Sequence, residues 1–146
     1  MTVIERSALL PYPAQTMFQL VNDIEAYPQF MDGCVGAQVI ERTPEHIEAR
    51  LDLAKAGMRH SFTTRNRLLP PGRIELSLVE GPFESFNGEW TFAALSDSAC
   101  KVTLRLQFKM SGRLLSFAAK AMFGGVANQL VEALVKRANA LHGASV

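Results

Sequence analysis

The chain has 146 residues, 48% of them hydrophobic and 20% charged, which suits one folded domain over 1–146 and excludes a disordered or fibrous chain. Fifteen Lys and Arg against fourteen Asp and Glu leave a net charge of +1. That excludes DNA binding, or any general charge-driven nucleic-acid binding, as the default and leaves room only for a local basic face. Two cysteines, Cys34 and Cys100, cannot by themselves build a disulfide framework or a four-ligand zinc site.

Residues 1–10 carry Glu5 and Arg6 and lack the basic start and apolar run of a secretory signal. The most apolar stretch, Leu114 to Val135, is interrupted by Lys120, Asn128, Gln129 and Glu132, so no membrane span is expected. The expectation is a cytoplasmic protein with reduced thiols, at most peripheral to the inner membrane. Charge is unevenly spread. Residues 55–73 hold five bases and no acid, 75–97 five acids and no base, and 101–137 seven bases and one acid. Either these charges pair across strands on the solvent side of a sheet, which is the favoured reading, or two basic segments combine into one basic surface.

In chain order, Thr2 to Leu10 reads as a first strand. Ala14 to Val21 reads as a short helix begun after Pro13, and Asn22 to Phe30 as a second short helix ending near Pro28. Val35, Ala37 and Val39 suggest the next strand. His46 to Leu53 alternates, with Ile47, Ala49, Leu51 and Leu53 inward. On residues 61–68, Ser61, Thr63, Arg65 and Arg67 face out while Phe62, Thr64, Asn66 and Leu68 face in. Residues 73–78 and 89–94 repeat the pattern with Ile74, Leu76 and Leu78, then Trp90, Phe92 and Ala94. Residues 101–110 alternate without a fault, from Val102, Leu104, Leu106, Phe108 and Met110 on one face to Lys101, Thr103, Arg105, Gln107 and Lys109 on the other.

Thr43-Pro44-Glu45, Ala56-Gly57, Pro70-Pro71-Gly72, Gly81-Pro82 and Ser96-Asp97-Ser98 punctuate the strands. Asn87-Gly88 is a strong type I′ hairpin signal, but it lies so close to Gly81-Pro82 that one of the two is a bulge instead. A long helix over about 113–142 closes the chain. Its apolar arc is Val126, Ala127, Leu130, Val131, Leu134, Ala138 and Leu141. This order predicts an α+β helix-grip: a curved antiparallel sheet of about seven strands wrapped round the C-terminal helix, with two short helices after the first strand. The space between sheet and helix is a natural apolar cavity.

Thr64 and Asn66 are polar residues on an otherwise apolar inward face, and buried polar groups need partners. They either hold the polar head of an apolar ligand or reflect a bulge or local hydrogen bond. Phe62, Phe83, Phe86, Trp90, Phe92 and Phe108, with Leu104, Val126 and Leu130, are the candidate cavity walls. The catalytic inventory is thin. His46, His60 and His142 have no metal-ligand spacing partners, and no nucleophile elbow, phosphate loop or dinucleotide fingerprint occurs. An acid/base pair of His60 and Glu80 across the cavity is a guess, so no catalytic or metal-ligating residue is assigned. A non-enzymatic binder without a cofactor is expected.

Several blocks carry a resemblance: Asp23-Ile24-x-x-Tyr27-Pro28-x-Phe30 followed by Cys34, Phe62-Thr63-Thr64-Arg65-Asn66, and Gly81-Pro82-Phe83 with Gly88-x-Trp90-x-Phe92. With Lys136-Arg137-Ala138 in the last helix, this pattern resembles the coenzyme-Q-binding START-domain family. That family includes bacterial ribosome-association toxins of the RatA type and lies in the polyketide cyclase/dehydrase-like START superfamily. The resemblance implies a helix-grip fold and a hydrophobic small molecule, ubiquinone or a related isoprenoid lipid, bound in support of respiration. As alternatives it implies binding to the large ribosomal subunit to block subunit association, or a cyclase-like enzyme. Tyr27, Pro28, Phe30, Cys34, Gly81, Pro82 and Arg137 are its rim residues. Apart from the resemblance, transient docking of an apolar rim on a membrane to collect the ligand is a further expected contact. Many members carry Pro-Trp before the cysteine, where this chain has the more flexible Asp32-Gly33. Arg137, at the margin of the helix stripe, either snorkels to solvent, the safer expectation, or pairs with Glu80 or Asp23.

Overall fold

The computed structural model describes residues 2–55, 58–70, 72–81, 83–110 and 113–143, with side chains at all of these except 2, 55, 58, 110, 113–124 and 126. Seven strands form one antiparallel sheet: β1 Thr2–Leu10, β2 Cys34–Arg42, β3 His46–Lys55, β4 Met58–Leu69, β5 Arg73–Glu80, β6 Phe83–Ser96 and β7 Ala99–Met110. Their spatial order is β1-β7-β6-β5-β4-β3-β2, so every pair but β1-β7 joins sequence neighbours. Between β1 and β2 lie α1 Ala14–Asn22, a 3-10 turn Ile24–Ala26 and α2 Tyr27–Phe30; α3 Arg113–His142 closes the chain. The curved sheet wraps α3, as the alternation and the terminal amphipathic stripe predict.

The period-two pattern of β7 is reproduced in burial, with Val102, Leu104, Leu106 and Phe108 all in the core. From α3, Ala127, Leu130, Val131, Leu134 and Ala138 enter the same core. Leu141 does not: it is half exposed, near the end of the helix. Val126, expected on that arc, lies outside the described side chains, as does Met110. The Tyr12 hydroxyl donates to Asn139 Oδ1 at 2.6 Å and ties the end of β1 to the last turns of α3.

The hairpin signal at Asn87-Gly88 is corrected. These residues lie within β6, with Gly88 opposite Leu76 on β5 and Leu106 on β7, and the β5–β6 connection runs through 81–82. Glycine at 88 permits close packing: a Cβ there would stand 2.6 Å from Leu106 Cδ2 and 3.2 Å from Leu76 Cδ1, side-chain ends that would have to shift, and a tight 3.1 Å from the backbone Arg105 O. The second helix also differs from expectation. Pro28 opens α2 rather than ending a helix, because its fixed φ and missing N–H suit a first turn. Ala94, expected inward, is exposed beside the register shift between Ala94 and Ser96.

On the outer face the opposite charges pair across strands. Arg67, Glu75, Glu89, Arg105 and Glu5 form one register row over β4, β5, β6, β7 and β1. Arg67 contacts Glu75 at 3.3 Å, and Arg73 reaches both Glu75 (3.1 Å) and Glu89 (2.7 Å). Arg105 pairs with Glu5, and Lys109 with Glu84. The two basic segments are therefore separated by the acidic strands, which match Arg67, Arg73, Arg105 and Lys109 and leave Arg65 and Lys101 without an ion pair among the described residues; they do not fuse into one basic surface on this face.

Candidate functional site

Between the concave face and α3 lies a cavity of about 70 Å3. The sheet supplies Ala49 and Leu51 from β3, Leu76 from β5, Phe86 and Trp90 from β6, and Leu104, Leu106 and Phe108 from β7. The 3-10 turn and α2 bring Ile24 and Tyr27, Met31 follows them, and α3 brings Ala127 and Leu130. Phe62, Thr64 and Asn66 line it from β4. Its volume is well below the roughly 300–1,000 Å3 of a site for a drug-sized ligand. A ligand of that size therefore fits only if part of the lining is displaced.

Thr64 and Asn66 are both buried, at 8% and 7% exposure. The Thr64 hydroxyl donates to Asn66 Oδ1 at 2.8 Å, which satisfies one polar group with the other. The Asn66 side-chain amide nitrogen has no hydrogen-bond partner among the described residues, and Asn66 lines the cavity. Two N–H donors thus stand at an otherwise apolar wall, where an acceptor such as a carbonyl oxygen can meet them. The strand is irregular here, since the β4–β5 register shifts between Thr63 and Thr64. Thr63, expected to face solvent, is also buried, beside a depression outside the cavity that it shares with Arg50, Arg59 and Glu80.

Other nominated residues take different places. Phe83 is buried one layer behind the cavity wall, 4.9 Å from Phe86 and 5.8 Å from Phe108 between ring centroids. Phe92 packs edge-on against Phe18 of α1 at 5.6 Å and stacks on Trp90 at 6.2 Å, also outside the lining. Cys34 is buried, its thiol donating to Gly36 O at 3.4 Å, and burial pushes its pKa up. His60, Glu80 and Gly81 meet at the depression near Thr63, not across the cavity. Pro82 lies outside the described residues.

The Tyr27-Pro28-x-Phe30 motif divides its two rings. Tyr27 faces the cavity, and its hydroxyl donates to Val21 O, at the C-terminal end of α1. Phe30 packs edge-on against Tyr27 at 5.5 Å and lies under the Arg137 guanidinium, 5.3 Å from the ring centroid. Arg137 thus makes a cation–π contact with α2. It forms no ion pair with Glu80 or Asp23, and its charged group does not simply extend into solvent. Gly33 has φ +87°, a left-handed conformation that strains other residues, so glycine suits the turn into β2. Of the other lining residues, alternation already turned Ala49, Leu51, Leu76 and Leu106 inward, Ala127 lies on the apolar arc of α3 and Ile24 within the Tyr27 motif block; no local signal marks Met31.

Tyr27 is the single ionisable side chain among the described lining residues. Burial holds its pKa far above the ordinary tyrosine value. No group of three or more His, Cys, Asp or Glu placed to hold a metal occurs among the described residues. No helix among them is long and apolar enough to cross a membrane.

The family described as polyketide cyclase / dehydrase and lipid transport matches residues 10–135. A ribosome association toxin RatA of Pseudomonas aeruginosa is 44% identical over 142 residues, covering 97% of this chain and 99% of the relative. RatA of Escherichia coli is 41% identical over 144 residues, covering 99% and 91%. More distantly, the mitochondrial coenzyme Q-binding protein coq10 of Schizosaccharomyces pombe is 22% identical over 141 residues, covering 93% and 86%. Among solved structures, a Thermus thermophilus protein superposes with a TM-score of 0.86 at 16% identity, covering 97% of this chain and 99% of its own. A START superfamily protein from Mycobacterium smegmatis gives 0.80 at 21% identity, covering 95% and 98%. At these identities the structural likeness speaks to the helix-grip fold.

Proposed function

The chain belongs to the polyketide cyclase/dehydrase and lipid transport family, and from that membership we propose that it is a ribosome-associating protein that binds the large subunit and blocks subunit association, acting by binding and not by catalysis. The observation that carries this reading is the end-to-end likeness, 44% identical over 97% of the chain, to a relative named for ribosome association. A cytoplasmic location goes with it. The non-enzymatic part is supported by the cavity chemistry: a wall whose one described ionisable group is a tyrosine already bonded to Val21 offers no ready general acid or base.

The test is a sucrose-gradient profile of purified subunits allowed to join in the presence of the full chain. The expected result is fewer joined ribosomes, more free subunits, and protein migrating with the large subunit. An unchanged profile with the protein at the top of the gradient overturns the reading.

A second reading, compatible with the first, is carried by the Asn66 amide at an apolar cavity wall. It is binding of a hydrophobic ligand with a carbonyl-type acceptor, such as the head of a quinone, in support of respiration and with passing membrane contact to collect it. The relation to a coenzyme Q-binding protein supports it, and the small cavity volume requires the wall to open. Mass spectrometry of an organic extract of protein from a quinone-containing host tests it. A stoichiometric quinone is expected, and an extract without quinone or lipid overturns it.

A further inference from the structure

We infer that the seam between β1 and α3 is the face of this protein that meets RNA, with Arg6 and Lys136 as its phosphate contacts. This deepens the ribosome reading, on which it rests, by giving that reading a surface.

The surplus of positive charge sits on one element. α3 carries four Lys and Arg against one Glu, while the rest of the chain carries eleven against thirteen Asp and Glu. A nearly neutral protein therefore has a basic helix on one side and a mildly acidic remainder. On the outer face of the sheet Arg67, Arg73, Arg105 and Lys109 each have a carboxylate partner, while Arg65 and Lys101 form no ion pair among the described residues. A polyanion approaching that face would have to displace those partners.

The seam differs. Arg6 and Lys136 line one groove, with Ser7 and Asn128 as polar neighbours. Neither cation forms an ion pair among the described residues. The hydrogen bond that Arg6 makes is to a backbone carbonyl, Glu5 O, at 2.8 Å. The one carboxylate among the groove's described residues, Glu132, accepts from the Asn128 amide at 3.4 Å. β1 is an end strand of the sheet, so its open edge adds backbone N–H donors suited to phosphate oxygens. The apolar members of the groove, Ala8, Val131 and Val135, are at least half buried. A sugar–phosphate ridge can enter such a groove, whereas a flat lipid surface meets the cations but not the valines.

The experiment is sedimentation of the full chain with purified large ribosomal subunits over a salt series. It compares the wild type, the double variant Arg6→Gln/Lys136→Gln, and the control Lys101→Gln, which removes an exposed cation from the outer face of β7. Arg6 and Lys136 are exposed, so the double variant stays folded. The expected loss is roughly ten- to a hundredfold in affinity at about 0.1 M salt, with the slope of log K against log salt shallower by about 2. The control binds like the wild type. A double variant with wild-type affinity and slope overturns the seam while leaving the ribosome reading intact. A wild type that sediments with no subunit at any salt overturns that reading and takes the seam with it. In parallel, pelleting with phosphatidylglycerol vesicles tests the other anionic surface. A double variant that loses vesicles and keeps subunits overturns the RNA assignment in favour of a lipid surface.

Discussion

The guanidinium of Arg137 on α3 lies 5.3 Å above the ring of Phe30, the last residue of α2. Phe30 in turn meets Tyr27 edge-on at 5.5 Å, and Tyr27 lines the cavity. One chain of contacts therefore joins the long helix to the short segment that closes the cavity. Removing the cation should loosen both. Arg137→Ala is expected to cost about 0.5–1 kcal/mol in urea unfolding. Phe30→Leu should cost a similar amount, and the double variant less than the two single losses together, because both remove one interaction. The same variants should speed the uptake of an apolar fluorescent dye, read by stopped flow. Strictly additive losses with unchanged uptake would show that the contact neither couples the helices nor restrains the wall.

The Thr64–Asn66 pair gives the cavity its polarity, and Trp90 in the same lining gives it a signal. A short-chain ubiquinone analogue that enters should quench tryptophan fluorescence. Asn66→Leu removes both amide donors, so affinity should fall about five- to tenfold, the worth of one hydrogen bond of about 1–1.5 kcal/mol. Global stability should hold or rise, because a buried amide is replaced by an apolar side chain. Lower stability with unchanged quenching would make the pair a purely local hydrogen bond.

Much of this was legible in the sequence where one physical rule acted alone. β7 alternates cleanly because one face is core and the other solvent, and Phe62, Thr64 and Asn66 reach the cavity by the same parity. The reading failed where tertiary contacts overrode a local preference. Asn87-Gly88 has the composition of a tight turn, but glycine is there to admit Leu106 and Leu76 against the β6 backbone. Thr63 faces away from the cavity as parity requires and is buried nonetheless, beside the register shift. Tyr27 and Phe30 belong to one motif, yet the rotation of a four-residue helix sends one to the cavity and the other to Arg137. No periodicity is long enough to predict that rotation.

Gly33 is a position where glycine is required by backbone conformation. Its φ of +87° places it in the left-handed region, while the added Cβ would meet Ala54 O at an ordinary 3.6 Å. The cost of Gly33→Ala is therefore conformational and should be about 1 kcal/mol by urea denaturation. Gly33→Asn, which tolerates this region better, should recover part of it. Equal losses for the two would assign the effect to side-chain crowding instead.

On the outer face, Glu75 and Glu89 stand directly opposite each other on β5 and β6, and Arg73 bridges both. Arg73→Ala leaves two like charges facing across the strands and should destabilise by up to about 1 kcal/mol. Adding salt should shrink the loss, because these groups are solvent-exposed and screened within about 10 Å at 0.1 M ionic strength. Glu75→Gln in the same background should restore part of it. A loss insensitive both to salt and to Glu75→Gln would mean that Arg73 acts through its alkyl stem.

Tyr27 also sets an alkaline limit. In the unfolded chain its phenol ionises near pH 10. In the folded protein, burial first, and then the nearby Cys34 and Asp23 charges, hold its pKa well above that value. The folded state thus favours the protonated phenol. The stability from this difference is fully present below about pH 10 and is lost as the pH rises beyond it, because only the unfolded chain gains by releasing the proton. Cys34 and Cys100, whose pKa values are also raised by burial, lose stability in the same direction. The comparison that isolates Tyr27 is Tyr27→Phe against the wild type, with urea midpoints taken from about pH 8 to 11. Near pH 8 the variant should be weaker by about 0.5–1.5 kcal/mol for the lost bond to Val21 O. Above about pH 10 the gap should narrow, because only the wild type's unfolded chain gains by ionising a tyrosine at this position. A constant gap across the range would show that Tyr27 titrates alike in both states, and that its burial does not govern its proton.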